Sequence, residues 1–406
     1  MGERGGKPYS EPLRFPRKRA RWALLVVSAV GNRTPFESRC FFLCYKFSMR
    51  HSNPWLDIVR SAAIALVLLS HSRFFLVGDF PLLDALKFGG FMGVELFFVL
   101  SGFLIGRILF SLANNYDYKN IKIFFMRRWL RTLPNYYLFL LITVLVSVLG
   151  IRPDPIPDLI DYIFFVQNLF APHPFFFTEA WSLSVEEVFY FCFPLLAFGL
   201  FRFFKLTPQN SMIFLGVLIV FLCGAARVVA ATMPEIQWDA GIRKIVIFRL
   251  DSIMVGVLFC FFMEKYKWVP KPNYLIYLLV LCFFASCICV ASMSAEELSR
   301  SFFAKTALFN MASVGCLGVI LVGYQRKIGP GLSAAAGFFS KISYSAYLCN
   351  MLVVSLVNYF LEDLSPVVKW IAFFPLVIVM AWMAYAFWEK KFMDYRDKNY
   401  RESSAA

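Results

Sequence analysis

The sequence predicts an all-α polytopic membrane protein, a bundle of about ten transmembrane helices with both termini in the cytoplasm. Three observations predict it. Hydrophobic residues make up 59% of the 406 positions and charged residues only 17%, which departs from the balance of a soluble domain. The apolar residues are gathered into separate runs, each about long enough to cross a bilayer. The Lys and Arg residues behind the formal net charge of +15 fall mostly in alternate loops, which explains them as orienting charges rather than as a nucleic-acid surface.

Residues 1–48 are unlike the rest. Arg14, Arg17, Lys18, Arg19 and Arg21 precede a short apolar run, WALLVVSAV. A charged segment ahead of an apolar one imitates a signal peptide, but this run is too short to span. Met49 stands directly before RHSNPW and the first strong apolar run. Met49 therefore reads as the natural start. Residues 1–48 read as a dispensable basic extension, disordered or an over-extended start, and residues 49–400 as one membrane domain.

Spans are expected near 55–75, 90–110, 132–150, 183–203, 211–232, 244–263, 273–293, 303–323, 343–361 and 368–388, with boundaries uncertain by about four residues. The loop after the second span is basic, with Arg107, Lys119, Lys122, Arg127, Arg128 and Arg131. Loops around Arg202 and Lys205, around Lys265, Lys267 and Lys271, and around Arg326, Lys327 and Lys341 are basic too, as is the tail after Glu389. The intervening loops carry acids such as Asp79, Asp158, Glu235, Glu297 and Glu362. Positive loops stay inside, so ten spans satisfy every loop. The outer loop from Gly150 to Glu179 contains DYIFFVQNLF. This is read as a re-entrant or interfacial helix, because an eleventh span would invert every later loop.

The first span, NPWLDIVRSAAIALVLLSHSRFF, holds Asp57, Arg60 and His71. Arg60 and His71 are eleven positions apart. That is about three helical turns, which returns the side chain to within roughly 20° of one face, with the two Cα atoms about 16 Å apart. Asp57 is one turn from Arg60 and able to pair with it. Charge in hydrocarbon is costly, so such residues point to a functional site. The alternatives are an interfacial Asp57–Arg60 pair with snorkelling side chains and a surface histidine at the helix end. TEAWSLSVEEVFYFCFPLL places Glu186 and Glu187 side by side with Tyr190 one turn on. Adjacent side chains point about 100° apart, so at least one carboxylate is expected to face the interior; the dipole of the helix N-terminus is the other explanation.

KIFFMRRWLRTLP interleaves Arg127, Arg128 and Arg131 with aromatics, and Pro134 is expected just inside the next helix. Positive-inside anchoring accounts for the pattern, and so does a phosphate clamp of guanidinium forks. Glu95, Arg227, Arg249 and Asp251 are charges inside apolar runs and read first as buried ion-pair partners. Gly90, Gly93, Gly102 and Gly106 permit close helix packing. The ten cysteines are scattered, and His51, His71 and His173 are the only histidines. No metal site is expected.

Six motifs occur in order: LDIVRSAAIALVLLSH, GGFMGVELFFVLSGFLI, FFMRRWLRTLPNYY, AWSLSVEEVFYFCFPLL, FRLDSIMVG and ISYSAYLCN. The series resembles the acyltransferase-3 family of membrane-bound O-acyltransferases over roughly residues 53 to 390. The resemblance implies an inner (plasma) membrane, multi-pass enzyme. Such an enzyme moves an acyl group, often acetyl, from cytoplasmic acyl-coenzyme A to a sugar hydroxyl of a surface or secreted glycan or glycolipid, as in polysaccharide or lipopolysaccharide O-acetylation. Its arginine–histidine pair falls on Arg60 and His71, its glutamate on Glu186, and its basic motif on Arg127, Arg128 and Arg131. The sequence departs from the family where a histidine often follows SYxxYL. Here the residue is Asn350, which hydrogen-bonds but takes up no proton.

Acyl transfer needs a base for the acceptor hydroxyl and a stabiliser for the oxyanion. His71, Glu186 and Asp57 are assigned to the catalytic group, with His71 as base and Glu186 orienting it. Arg60, Arg127, Arg128 and Arg131 are assigned to donor phosphates. Glu95, Ser101, Trp181, Ser182, Glu187, Tyr190, Arg249, Asp251, Tyr344, Tyr347 and Asn350 form the supporting set. The expected partners are acyl-coenzyme A as co-substrate, a carbohydrate or glycolipid acceptor and the bilayer, with no permanently bound cofactor. No esterase-like domain is seen in the sequence, so a relay within the chain is not expected. The rival is a membrane transporter of an acyl or glycan substrate, since intramembrane charges and glycines suit that too; no internal repeat or pair of matching broken helices supports it.

Overall fold

The structure, a computed structural model, describes residues 53–114, 116–152 and 154–400. The expectations for residues 1–48 and for Met49 and His51 lie outside the described residues. Among the described residues the secondary structure is helical, with no strand. The long helices are α1 (Pro54–Ser72), α2 (Lys87–Asn114), α3 (Tyr118–Val148), α4 (Ala180–Phe204), α5 (Pro208–Ala231), α6 (Leu250–Tyr266), α7 (Tyr274–Ser292), α8 (Ala307–Val322), α9 (Pro330–Phe360), α10 (Pro366–Ala384) and α11 (Lys390–Asn399). Local chemistry sets several starts. The side chains of Asn53, Asp117, Thr207 and Asn273 accept from backbone N–H groups in the first turns of α1, α3, α5 and α7, satisfying donors that a helix start leaves free. Pro54, Pro208, Pro330 and Pro366 open four helices, where a missing N–H costs nothing.

Each of the ten expected spans falls on one of the helices α1–α10. Seven of the helical segments are long and apolar enough to cross a membrane, from Pro54–Phe75 to Pro366–Asn399. Three fall short of that measure. Helices α6 and α8 have 17 and 16 residues, and α9 is 31 residues long but diluted by Ser340, Ser343, Tyr344, Ser345, Tyr347 and Asn350. Leu141, Leu145, Phe221, Leu278, Ile288 and Val379 lie exposed on the outside of the bundle, a surface suited to lipid rather than water.

Two boundaries correct the sequence reading. Arg127, Arg128 and Arg131 are not in a loop but inside α3, whose 31 residues rise about 46 Å, longer than the roughly 30 Å hydrocarbon layer. Pro134 therefore sits mid-helix. Only the first three residues of DYIFFVQNLF are helical, closing the five-residue helix Leu159–Ile163, and the rest is irregular chain. That chain is held by side chains instead of a helical ladder: Gln167 donates to Ser184 Oγ at 2.7 Å, and Asn168 donates to the carbonyls of Trp181 at 3.0 Å and Lys244 at 2.7 Å.

Helix α2 is the centre of the bundle, with Phe91, Leu96, Val99, Leu100 and Phe103 among its buried residues. It closes on α6 at glycines: a Cβ on Gly102 would meet the Ile253 carbonyl oxygen, and one on Gly256 would meet that of Val99. Helices α1 and α9 run side by side in the same direction. Ser61 Oγ donates to the Ala336 carbonyl at 2.9 Å, Arg60 donates to Ser340 Oγ at 2.8 Å, and His71 meets Asn350. This pairing places the polar residues of both helices in one seam.

Candidate functional site

At the upper end of the seam, His71 Nδ1 is hydrogen-bonded to Asn350 Oδ1. The Asn350 amide nitrogen donates to the carbonyls of Tyr347 at 2.6 Å and Ala346 at 3.4 Å. Carbonyls only accept, so the amide nitrogen must face them and Oδ1 must face the imidazole. Nδ1 therefore carries the proton, and the Nε2 lone pair is left for chemistry. The Tyr347 hydroxyl bonds to Ser182 Oγ at 2.6 Å and to the Glu179 carbonyl at 3.3 Å. Glu179 Oε1 accepts the Met351 N–H at 2.9 Å. These contacts bolt the start of α4 to α9.

The imidazole borders a cavity of about 680 Å³ whose lining includes Glu179, Trp181, Trp238, Arg243 and Tyr347. That volume suits a small ligand. Among these residues, Glu179, Trp238 and Arg243 escaped the sequence reading, as did Arg73, Lys87 and Lys244, which also line it. The signal that points to them is four cations standing in loops otherwise marked by acids.

A second cluster lies about 16 Å further down α1. Arg60 pairs with Asp57 at 3.5 Å, and Ser340 Oγ accepts from Arg60 and donates to Asp57 at 2.7 Å. The Arg128 guanidinium stacks 4.0 Å from the Tyr190 ring centroid, and the Tyr190 hydroxyl bonds to Ser101. Arg128 interacts electrostatically with Glu186 and Glu187, and Arg131 with Arg60, Arg128 and Glu389. Tyr344 donates to the Thr132 carbonyl at 2.9 Å. Among the described residues, neither Arg128 nor Arg131 forms a side-chain hydrogen bond or close ion pair, and Arg128 Nε is buried without a partner. Three guanidinia converge here with one closely paired carboxylate, an arrangement that can receive an anion.

The structure thus separates some residues expected to act together. Glu186 belongs to the arginine cluster, and the imidazole's hydrogen-bond partner is Asn350 instead. Arg127 turns to the chain's end, donating to the Tyr400 carbonyl at 2.6 Å and lying 3.5 Å from Asp397. Glu95 and Arg249 form a fully buried pair with Ser252 and Ser313 around it. Asp251 pairs with Arg227 at 2.6 Å. These are the ion pairs expected for charges inside apolar runs, and they tie α2, α5, α6 and α8 together. His173 packs edge-on against Tyr162 in the loop between α3 and α4, where burial pushes its pKa down to about 4. No group of His, Cys, Asp and Glu suited to a metal occurs among the described residues.

Comparison with known proteins bears on the chain as a whole. Residues 53–386 match the family model described as an acyltransferase domain. The chain is 26% identical over 370 residues to a provisionally named O-acetyltransferase of Staphylococcus aureus strain MSSA476, covering 86% of this chain and 58% of that protein. It is 27% identical over 352 residues to O-acetyltransferase OatA of Staphylococcus aureus strain NCTC 8325 / PS 47, covering 74% of this chain and 52% of that protein. The chain thus spans little more than half the length of these relatives. No solved structure matches it.

Proposed function

This chain belongs to the family of that acyltransferase domain, and on that premise we propose that it is an integral-membrane O-acyltransferase. It moves an acyl group, acetyl by the names of its relatives, from acyl-coenzyme A to a hydroxyl of a glycan or glycolipid. It sits in the plasma membrane with ten crossings and both termini in the cytoplasm, so α6, α8 and α9 cross as well. The observation that carries the reading is the seam of α1 and α9: an imidazole with a free Nε2 at one end, and a guanidinium cluster about three turns away.

In this reading Arg60, Arg128 and Arg131 hold the donor's phosphates, and the pantetheine arm extends along the seam toward His71. Nε2 takes the proton of the acceptor hydroxyl as its oxygen attacks the thioester carbonyl. The C–O bond forms, the C–S bond breaks, and the imidazolium returns the proton to the departing thiolate. Asn350 holds the ring through this cycle, and Asp57 and Ser340 fix the Arg60 guanidinium.

The test is acyl-coenzyme A affinity of the purified protein carrying Arg60→Lys or Arg128→Ala. Lysine keeps the charge but loses the planar fork. A hydrogen bond to a charged group contributes about 1.5–3 kcal/mol, so donor affinity is expected to fall about tenfold or more in each. Unchanged affinity in both would move the donor site elsewhere.

A further inference from the structure

The cavity beside His71 is built for more than a neutral sugar. Two cation–acid–cation clamps line it. Asp84 is shared by Arg73 at 3.3 Å and Lys87 at 2.7 Å. Asp239 is shared by Arg243 at 2.5 Å and Lys244 at 2.7 Å. Each carboxylate neutralises one cation, so each clamp keeps one positive charge. Among the described residues, neither of the other two acids of the lining pairs with a clamp cation. Glu179 is 2% exposed and engaged by the Met351 N–H, and Glu296 is paired with Arg300 at 2.5 Å on the exposed rim.

The guanidinia are flanked by aromatic rings. Arg243 lies over Trp181 at 5.1 Å and over Trp238 at 5.8 Å, and Arg73 lies over Phe74 at 4.5 Å. Cation–π contact braces a guanidinium without consuming its N–H groups; one Arg73 N–H is spent on the Ser70 carbonyl at 2.7 Å. Burial raises the Asp239 pKa, but Arg243 and Lys244 hold it well below the usual carboxylate range, so that clamp stays charged at neutral pH. On the proposed orientation all four cations stand on the outer side, against the positive-inside bias. Topology therefore does not account for them.

Resting on the acyl-transfer reading of this site, we propose that the acceptor is an anionic saccharide. Its carboxylate or phosphate group is held by the Arg243–Lys244 and Arg73–Lys87 clamps while a ring hydroxyl faces His71 Nε2.

The test uses the purified full chain in lipid nanodiscs and three probes: a galacturonic acid trimer, its carboxyl-reduced neutral counterpart, and a hexose 6-phosphate. Binding is measured by calorimetry for the wild type, Lys244→Gln and Lys87→Gln. Release of free thiol from acetyl-coenzyme A is followed in the same samples. The wild type is expected to bind an anionic probe at least about tenfold more tightly than the neutral trimer, consistent with charge-assisted hydrogen bonds. Each variant is expected to bring that ratio close to one. Preference for the trimer assigns a carboxylate, and preference for the phosphorylated hexose assigns a phosphate. Equal binding of all three probes, binding of none, or a charge preference that survives both substitutions would overturn the proposal. Absence of thiol release from the wild type, by contrast, would count against the acyl-transfer reading itself. Two single substitutions at opposite clamps keep the test decisive if one variant fails to fold.

Discussion

Asn350 shows how a residue that cannot titrate can still govern one that does. Its amide is oriented by two backbone carbonyls, and through that orientation it sets which nitrogen of His71 is free. Asn350→Ala is expected to lower turnover by about tenfold to a hundredfold, within the range that positioned acid–base groups contribute, while donor affinity stays at the wild-type value. Steady-state turnover and acyl-coenzyme A binding measured together check this; a variant with unchanged turnover would remove Asn350 from the account. His71 and Arg60 were legible in the sequence because ionisable groups in an apolar run have few cheap explanations. Their helical spacing placed both in one seam. The pairing with Asn350 was not legible, because the two residues lie 279 positions apart and nothing local in α1 names its neighbour. Glu186 illustrates the reverse. Its presence inside the bundle was readable, but its grouping with the arginines depends on how α3 packs against α4.

At the scale of the element, close approach of helices positions the site. Without a hydrophobic drive between helices in lipid, small residues and buried polar pairs carry the packing. Gly102 and Gly256 let α2 and α6 touch backbone to backbone. Gly102→Leu is expected to overpack that contact, at a cost of about 1–3 kcal/mol or more, lowering the apparent melting temperature in detergent. Gly337→Ala, where nothing lies within 4 Å of the new Cβ, is the control and is expected to leave it unchanged or raise it slightly. Equal melting temperatures for Gly102→Leu and the control would mean that α2 and α6 are not in contact. The glycines of α2 were visible as a packing face; their partner helix was not. Helix α3 was read too short, because a basic stretch looks like a loop to a hydropathy argument even when Phe124 and Phe125 bury one side of it.

For the whole molecule, the all-helical class follows from composition and run length, and the structure agrees with it. Orientation rests on loop charge. Reporter fusions or cysteine accessibility at Asp158 and Lys267 are expected to read outside and inside respectively. An inside reading at Asp158 would mean a miscounted span among α1–α3, and an outside reading at Lys267 with Asp158 outside would mean that one of α4–α6, α6 being the shortest, does not cross. The four cations of the cavity, outer on the proposed orientation, mark where the charge rule and the site diverge, and ligand binding is the physical reason offered for that divergence. In the proposed mechanism one imidazole at the top of the α1–α9 seam drives acyl transfer from a donor held below. The most direct test of this mechanism is transfer of labelled acetyl from acetyl-coenzyme A to a saccharide acceptor by purified wild type and His71→Ala, with donor binding followed in parallel. The variant is expected to bind donor normally and to lose about 10²–10⁴ in rate; transfer within threefold of wild type would contradict the account.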